Sequence, residues 1–181
     1  MIKKLVLGAM VGGLCLSTTL QAAERPDFNQ GVKKVTAFGN LTNTSVGDFD
    51  QSMLLLGANF SKVNKSLEVG GGIQLVATDS GVSDSTSMYW SGFANHHFLK
   101  NVNSTTVPYV GAGLSYLTQS AGDTDTSGLG FEIHAGANFF QTENISFSLE
   151  LYLSQFSMSA DAGGDFDQDE TGIRLGFSFW K

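Results

Sequence analysis

The stretch Ile145-Ser146-Phe147-Ser148-Leu149-Glu150-Leu151-Tyr152-Leu153 places a large apolar residue at every odd position. Serine, glutamate and tyrosine occupy the even positions. Successive side chains point to opposite faces of a β-strand, so this period of two predicts a strand with one apolar and one polar face. An amphipathic helix is not expected here, because its apolar residues recur at spacings of three and four.

The same alternation recurs along the chain. It is clear in residues 67–77, 129–139 and 171–180, and weaker in four further runs. We therefore predict an all-β protein with eight strands. The predicted strands cover about 32–43, 52–62, 67–77, 86–99, 106–118, 129–139, 145–153 and 171–180.

The intervals between the predicted strands alternate in length. Residues 63–66, 100–105 and 142–144 form short intervals, whereas residues 44–51, 79–85, 119–127 and 158–170 form longer ones rich in Gly, Ser, Thr and Asp. Short turns on one side, longer loops on the other and an even number of strands are typical of outer-membrane barrels. The sequence thus predicts an up-and-down antiparallel transmembrane barrel.

A short repeat helps to set which residues face inward. Ala58-Asn59-Phe60, Ala94-Asn95-His96 and Ala137-Asn138-Phe139 each precede a short interval. If the three are equivalent, their asparagines face the lumen near one rim. The ambiguous strand 86–99 then has Met88, Trp90, Ala94 and Phe98 outward and Tyr89, Phe93 and His97 inward.

The chemistry of the two faces indicates which one meets lipid. The apolar face carries little charge, while the other face holds Glu68, Glu132, Glu150 and Arg174 among glycines and serines. A narrow lumen suits the second face and a lipid-facing band suits the first. A soluble lipocalin-like cup is the alternative. Aromatic residues near the strand ends are expected to form interfacial girdles: Phe98, Tyr109, Tyr116, Phe139, Phe140, Phe147, Phe156, Phe179 and Trp180.

The N-terminal segment differs from the rest of the chain. Lys3 and Lys4 precede the apolar run Leu5–Leu16, and small residues follow at Ala22 and Ala23. This pattern is typical of a cleavable signal peptide, predicted as residues 1–22, with the barrel domain at 23–181. A lipoprotein modified at Cys15 and an uncleaved anchor are the alternatives.

Composition excludes several classes of function. Cys15 is the only cysteine, so disulfides and cysteine-based zinc sites are not expected in the barrel domain. The formal net charge is −7, and phosphate binding needs clustered Lys and Arg, so nucleic acid is not an expected partner. No cofactor is predicted.

Three segments resemble the small outer-membrane β-barrel domain family, the barrels akin to OmpA and OmpX. They are the stretches 108–116 (PYVGAGLSY), 143–151 (ENISFSLEL) and 172–180 (GIRLGFSFW). The resemblance covers essentially all of residues 30–181 and implies a C-terminal strand that ends in aromatics and is recognised by the barrel-assembly machinery. Phe177, Phe179 and Trp180 match that signal, although Lys181 follows Trp180 and the outward phase ends on Phe179.

The predicted inward charges are the main candidate site. A lumen polar network is expected from Lys34, Glu68, Glu132, His134, Glu150 and Arg174. A turn near Glu143 would pair His134 with Tyr152 and Gly136 with Glu150. Such a network either fills the barrel and satisfies its own charges or serves as a gate or proton path.

Two other constellations are weaker. A hydrolase needs a nucleophile near a base, but Gly136 stands two residues after His134, where the lipid A deacylase barrels carry serine. Asp165, Asp167 and Asp169 have the 1,3,5 spacing of a calcium loop within the predicted acidic loop, although Glu170 replaces the glycine such a loop requires. They are candidates for weak divalent-cation binding.

These features predict a bacterial outer-membrane protein with both termini in the periplasm. The expected role is non-enzymatic, either structural or interactive, through acidic extracellular loops. Expected partners are outer-membrane lipid and lipopolysaccharide, the barrel-assembly machinery and an extracellular ligand or host surface. A narrow pore or small-ligand conduit is the alternative, and a lipid-active enzyme is a further one.

Overall fold

The computed structural model describes residues 25–46, 49–79, 84–99, 105–121, 124–160 and 164–181. The predicted signal peptide, residues 1–22, and Cys15 lie outside these ranges. Among the described residues, no helix is long and apolar enough to cross a bilayer.

Eight antiparallel strands close into one barrel in chain order. They are β1 Val32–Val46, β2 Phe49–Asn64, β3 Leu67–Asp79, β4 Asp84–His97, β5 Thr106–Ala121, β6 Thr124–Thr142, β7 Ile145–Ala160 and β8 Asp165–Trp180. The predicted all-β class and eight-stranded up-and-down topology are thereby confirmed. Closure matters because an unpaired strand edge in hydrocarbon leaves backbone groups without partners, at several kcal/mol each.

The predicted register of the β6–β7 hairpin is also confirmed. His134 lies opposite Tyr152 and Gly136 lies opposite Glu150. The barrel closes between β1 and β8 along a shorter ladder, which runs from the pair Lys34–Trp180 to the pair Gly39–Leu175. We call this ladder the seam.

The described terminal residues lie at one end of the barrel, which we call the lower end. There the backbone N–H of Lys33 donates to the carbonyl of Lys181 at 2.7 Å, and the N–H of Lys181 donates back at 2.9 Å. The described residues 65–66, 98–99, 105 and 143–144, which lie between strands, are at this end. The opposite end is called the upper end.

The prediction of longer loops at the upper end was wrong. β1 runs to Val46 and β2 begins at Phe49, while β7 ends at Ala160 and β8 begins at Asp165. The strands continue past the apolar band because their upper parts are rich in Ser and Thr, which pair well in a sheet that water surrounds. The acids of the predicted loop 158–170 that are described, Asp165 to Glu170, therefore lie on β8.

The outside of the barrel carries an apolar belt. On β7, Phe147, Leu149, Leu151 and Leu153 are exposed, with 36–59% of their surface accessible. At a rise of about 3.3 Å per residue and a tilt near 40°, nine such residues cover roughly 20–25 Å of height, close to the apolar band of known membrane barrels. A belt of this kind would be unfavourable in water and fits lipid.

The inside of the barrel is closed near each end by an apolar cluster. The lower cluster consists of Phe28, Val32, Val63, Val107, Phe140 and Trp180. The upper cluster consists of Leu55, Val76, Tyr89, Leu117, Phe156 and Met158. Four of the aromatics predicted for interfacial girdles, Tyr109, Phe140, Phe156 and Trp180, are buried in the lumen instead. All four occupy strand positions whose side chains point into the barrel, and their bulky rings fill the interior.

Phe28 reaches the lower cluster from outside the strands. A 3-10 helix, Phe28–Gln30, begins at Asp27, whose carboxylate accepts the backbone N–H of Asn29 at 3.0 Å. That backbone hydrogen bond is the main cause that holds the pKa of Asp27 below its ordinary value. The turn ends at Gly31, whose φ of 75° is left-handed and suits glycine. Phe28 thereby stacks on Trp180 with ring centres 5.3 Å apart.

Candidate functional site: the charged lumen

Between the two apolar clusters the lumen is polar and charged. All six predicted network residues point inward, and they form two groups, one around Arg174 and one around Glu68. The three asparagines of the Ala-Asn repeat also face inward. Asn95 and Asn138 are buried, and Asn59 lines a cavity. The predicted facing of strand 86–99 is confirmed as well, with Trp90 exposed and Tyr89 and His97 buried.

Arg174 on β8 is the centre of the first group. Its Nη1 donates to Glu132 Oε1 at 2.8 Å and to Glu150 Oε1 at 2.9 Å, and its Nη2 donates to the other oxygen of Glu132. The guanidinium also lies 3.9 Å from the ring centre of Tyr152. The hydroxyl of Tyr109 donates to Glu150 Oε2 at 3.0 Å, so both carboxylates are held by several donors.

Glu68 on β3 is the centre of the second group, nearer the lower end. Lys34 Nζ lies 3.3 Å from its Oε1, and His97 Nε2 lies 2.8 Å from its Oε2. The hydroxyl of Ser61 donates to Oε1 at 2.5 Å, and the amide of Asn95 donates to Oε2 at 3.1 Å. Glu68 is only 1% exposed, and this number of donors explains how a carboxylate is held there.

His134 joins the two groups. Its Nδ1 lies 3.0 Å from Glu132 Oε1, and its Nε2 lies 2.6 Å from Asn95 Oδ1. The amide nitrogen of Asn95 donates to Glu68, which fixes the carbonyl oxygen toward His134. Both ring nitrogens therefore face acceptor oxygens.

Every carboxylate of the joined network is paired. Lys34 and Arg174 face three carboxylates, those of Glu68, Glu132 and Glu150, and the His134 ring contacts Glu132. The remaining lumenal histidine, His97, contacts Glu68 through Nε2, while its Nδ1 is buried without a partner among the described residues. Buried charges that are paired and hydrogen-bonded can be enclosed within a barrel at lower electrostatic cost than unpaired ones.

Small spaces remain inside this network. An upper cavity of about 50 Å³ is lined by Gln74, Ser91, Glu132, His134 and Arg174, among others. A lower cavity of about 30 Å³ is lined by residues that include Lys34, Glu68 and Ser148. Spaces of this size and polarity have room for a few water molecules.

Sequence reasoning missed several members of the network. Ser61, Asn95, His97 and Tyr109 were not among the predicted network residues, and Glu170 was predicted to lie in a loop. The hydroxyl of Tyr89 donates to Glu170 at 2.7 Å, directly beside the upper cluster. Their inward phase was the available signal, because every one of them stands at an inward position of its strand.

Asp165, Asp167 and Asp169 are not brought together. All three are exposed on the outer face of β8, and Ser159 and Ser157 donate to the first two at 2.9 and 3.1 Å. Alternate residues of a strand stand about 6.6 Å apart, so three such carboxylates cannot converge on one ion. These acids do not have the geometry of a calcium loop, and weak divalent-cation binding by them stays a prediction. Among the described residues no group of three or more His, Cys, Asp or Glu side chains is arranged to hold a metal ion.

The aromatic C-terminal residues divide between the two faces. Phe179 is exposed on the outside, Phe177 packs between Phe147 and Phe179, and Trp180 points inward, where its Nε1 donates to Ser146 at 2.9 Å. Their recognition by the assembly machinery stays a prediction.

Comparison with known proteins gives matches of structure only. No protein-family model and no curated protein matches the sequence. The N-terminal barrel domain of Pseudomonas aeruginosa OprF aligns with a TM-score of 0.57 and 20% identity, over 84% of this chain and 100% of that one. This chain has the fold of the small eight-stranded outer-membrane barrels.

Two further solved structures share this outer-membrane barrel fold. OprG from Pseudomonas aeruginosa aligns with a TM-score of 0.55 and 12% identity, over 88% of this chain and 98% of that one. Neisserial surface protein A aligns with a TM-score of 0.55 and 14% identity, over 82% and 95% of the two chains. The predicted resemblance to small outer-membrane barrels is confirmed at the level of the fold.

Proposed function

We propose that this barrel resides in the outer membrane as a closed, non-conducting scaffold with a structural or surface-interaction role. Its acidic upper end would meet partners outside the cell, either an extracellular ligand or a host surface. The proposal rests on one observation. A network of paired charges fills the lumen, and an apolar cluster closes it near each end.

A conduit is the less favoured alternative because a permeating solute would have to displace both clusters. In the upper cluster Leu117 and Phe156 are 0% and 2% exposed, and in the lower cluster Phe28 and Trp180 are both 2% exposed. The solute would also have to separate Arg174 from two carboxylates, and breaking a buried pair of this kind costs on the order of 3–5 kcal/mol.

The arrangement of the described histidines supports a role without catalysis. His134 and His97 are bonded to carboxylate and amide oxygens, and no serine hydroxyl bonds to either ring. His96 lies on the outside with its ring against Phe98, at 5.2 Å between centres. A hydrolytic triad needs a nucleophile, a base and an orienting group in contact, and none of these histidines has that pair of neighbours.

The charge distribution supports an orientation with both termini in the periplasm. Lys33, Lys62, Lys65 and Lys181 are exposed at the lower end. The exposed acids of the upper end are Asp79, Asp84, Asp125, Asp165, Asp167 and Asp169. With the lower end periplasmic, this acidic end faces the lipopolysaccharide leaflet, where divalent cations can bridge carboxylates to lipid phosphates.

Planar-bilayer recording tests the closed lumen. The wild-type barrel is expected to give no stable conductance steps, while Leu117→Ala/Phe156→Ala/Phe28→Ala, which removes rings and side chains from both clusters, is expected to give small steps. A matched control, Leu114→Ala/Phe131→Ala/Phe98→Ala, removes side chains of the same kinds from the outer surface and should stay silent. Reproducible steps from the wild type would favour the conduit.

Cysteine labelling tests the orientation. In a Cys15→Ser background, Ser120→Cys places a thiol at the exposed upper end and Lys65→Cys places one at the lower end. A membrane-impermeant maleimide added to intact cells should label only Ser120→Cys, and both variants should react after lysis. Labelling of Lys65→Cys alone would reverse the orientation.

A further inference from the structure

Three lysines form a row across neighbouring strands at the lower rim. Lys62 on β2 stands directly opposite Lys33 on β1. On the other side, Lys33 exchanges both backbone hydrogen bonds with Lys181, which follows β8, at 2.7 and 2.9 Å. All three side chains are exposed. We call these residues the lysine row.

The lysine row forms no ion pair among the described residues. None of the ion pairs among the described residues includes Lys33, Lys62 or Lys181. Like charges directly opposite one another in a sheet are destabilising. Strands lie about 4.8 Å apart, so three positive charges are spread over roughly 10 Å of rim. An anion that bridges them would remove this repulsion.

An apolar row lies two residues farther up the same three strands. Phe60 is opposite Val35, and Val35 is opposite Phe179. These side chains are 61%, 41% and 55% exposed, and they belong to the apolar belt. Ammonium groups directly below an exposed apolar surface have the geometry of a membrane interface, where lysine stems lie along apolar surface and the charge reaches the headgroups.

The lysine row is local to one side of the barrel. Elsewhere on the described lower rim, the exposed residues include Leu67, His96, Pro108 and Glu143, and the one exposed lysine outside the row is Lys65 in the β2–β3 turn. A general attraction to the membrane surface would not require such grouping. The grouping favours a discrete ligand with more than one negative charge.

We propose that the lysine row is a binding site for an anionic phospholipid with two phosphates joined through glycerol, the chemistry of cardiolipin. One phosphate can bridge Lys62 and Lys33 and the other can bridge Lys33 and Lys181, while the acyl chains lie along Phe60, Val35 and Phe179. Placing this lipid in the periplasmic leaflet rests on the orientation given under the proposed function. The binding chemistry itself does not depend on that orientation.

Native mass spectrometry of the folded, detergent-solubilised barrel tests the site. The protein is titrated with cardiolipin, phosphatidylglycerol and phosphatidylcholine. The test variant is Lys33→Gln/Lys62→Gln/Lys181→Gln, with Lys33→Gln alone as the milder one. The matched control, Arg25→Gln/Lys65→Gln, removes cations from the same end but outside the lysine row. Folding of each variant is checked first by its heat-dependent mobility on gels.

Cardiolipin should bind the wild type more tightly than phosphatidylglycerol at equal phosphate, and phosphatidylcholine should bind least. The affinity of the barrel for cardiolipin should fall roughly fivefold for each lysine removed from the row. The control variant should keep nearly the wild-type affinity. The site is refuted if the triple variant keeps wild-type affinity, if the control loses as much, or if the wild type binds phosphatidylcholine equally well. Because lipid binding is measured in detergent, reversed labelling in cells would overturn the orientation and leave this result standing.

Discussion

At the scale of single residues, the lumen depends on charges that are paired inside the barrel. Arg174 serves two carboxylates, and His134 serves one carboxylate and one amide oxygen. Burying such groups is costly unless each of them is paired, so losing one partner costs far more than the pair adds to stability.

Arg174 should therefore be sensitive to substitution. Arg174→Ala leaves Glu132 and Glu150 without their main donor, and we expect a loss on the order of 3–5 kcal/mol in the free energy of unfolding. Arg174→Lys keeps the charge but loses the forked geometry, so it should lose less. Urea titration of the folded barrel in detergent measures these differences.

A double variant separates charge pairing from packing. Glu150→Gln in the Arg174→Ala background removes one unpaired charge and should recover part of the loss. Equal unfolding midpoints for wild type, Arg174→Ala, Arg174→Lys and the double variant would show that Arg174 does not hold this network together.

The two lumenal histidines should differ in how their rings are hydrogen-bonded. Both nitrogens of His134 face acceptor oxygens, whereas Nδ1 of His97 has no partner among the described residues. Nitrogen-15 NMR should show hydrogen bonds at both ring nitrogens of His134 and at one of His97, with His134→Gln and His97→Gln assigning the signals. A single hydrogen-bonded nitrogen at His134 would contradict its place between Glu132 and Asn95.

At the scale of elements, the 3-10 helix acts as a plug beneath the strands. Phe28 contacts Trp180, Phe140 and His97, and the backbone N–H of Lys65 donates to its carbonyl at 2.7 Å. A segment outside the sheet thus completes the lower cluster. The ring of Phe28 should account for much of the protection of Trp180 from solvent.

Phe28→Ala should expose Trp180 to water. The experiment uses a Trp90→Phe background, so that Trp180 is the only tryptophan and its fluorescence can be quenched by acrylamide. We expect quenching to rise in Phe28→Ala and to stay unchanged in Phe98→Ala, whose ring is exposed on the outer surface. Unchanged quenching in both variants would mean that Phe28 does not seal this end.

Because neighbouring side chains approach Gly111 closely, any larger residue at this position should lower the stability of the barrel. A methyl group there would clash with the side chains of Asn95 and His134 and would lie 2.7 Å from the carbonyl of Ala94. Gly92, on the outer face, is a matched control because a methyl group there meets nothing nearer than 4.0 Å. Gly111→Ala should destabilise by about 1–3 kcal/mol, and Gly92→Ala should stay within about 0.5 kcal/mol of the wild type. Equal unfolding midpoints would argue against this crowding.

At the level of the whole molecule, closure of the sheet allows one protein to combine a polar lumen with an apolar outer belt. Every strand pairs on both sides, and the shortest ladder is the seam between β1 and β8. Above Gly39 and Leu175 the outer face of β8 soon becomes polar, with Thr171 and Asp169 exposed. The part of β8 without a ladder to β1 therefore lies mostly beyond the belt, where water can satisfy its backbone groups.

A closed barrel of this kind should resist detergent. We expect the unboiled protein to migrate on gels at a position different from that of the boiled protein, because sodium dodecyl sulfate does not open the closed ladder without heat. It should also fractionate with membranes. Identical migration before and after boiling, together with recovery in the soluble fraction, would refute the barrel in lipid.

The number of strands, the facing of their side chains and the register of the β6–β7 hairpin follow from local sequence pattern. A period of two assigns each side chain to a face, and a short turn fixes which residues stand opposite one another. Glu68, His134 and Arg174 could therefore be placed in the lumen from local pattern alone. Strand ends at the upper side were not predictable in this way, because pairing continues through Ser and Thr after the apolar pattern has stopped.

Which charges meet, and which side chains close the lumen, depends on how distant strands are brought together. Lys34 reaches Glu68, Arg174 reaches Glu132, and Phe28 meets Trp180 across almost the whole length of the chain. The tertiary structure also aligns Lys62, Lys33 and Lys181 in one row. The period of two predicts which face of the sheet each side chain occupies, but it does not predict how far the neighbouring strand is shifted along its axis. That shift is set when the sheet closes on itself and β8 meets β1.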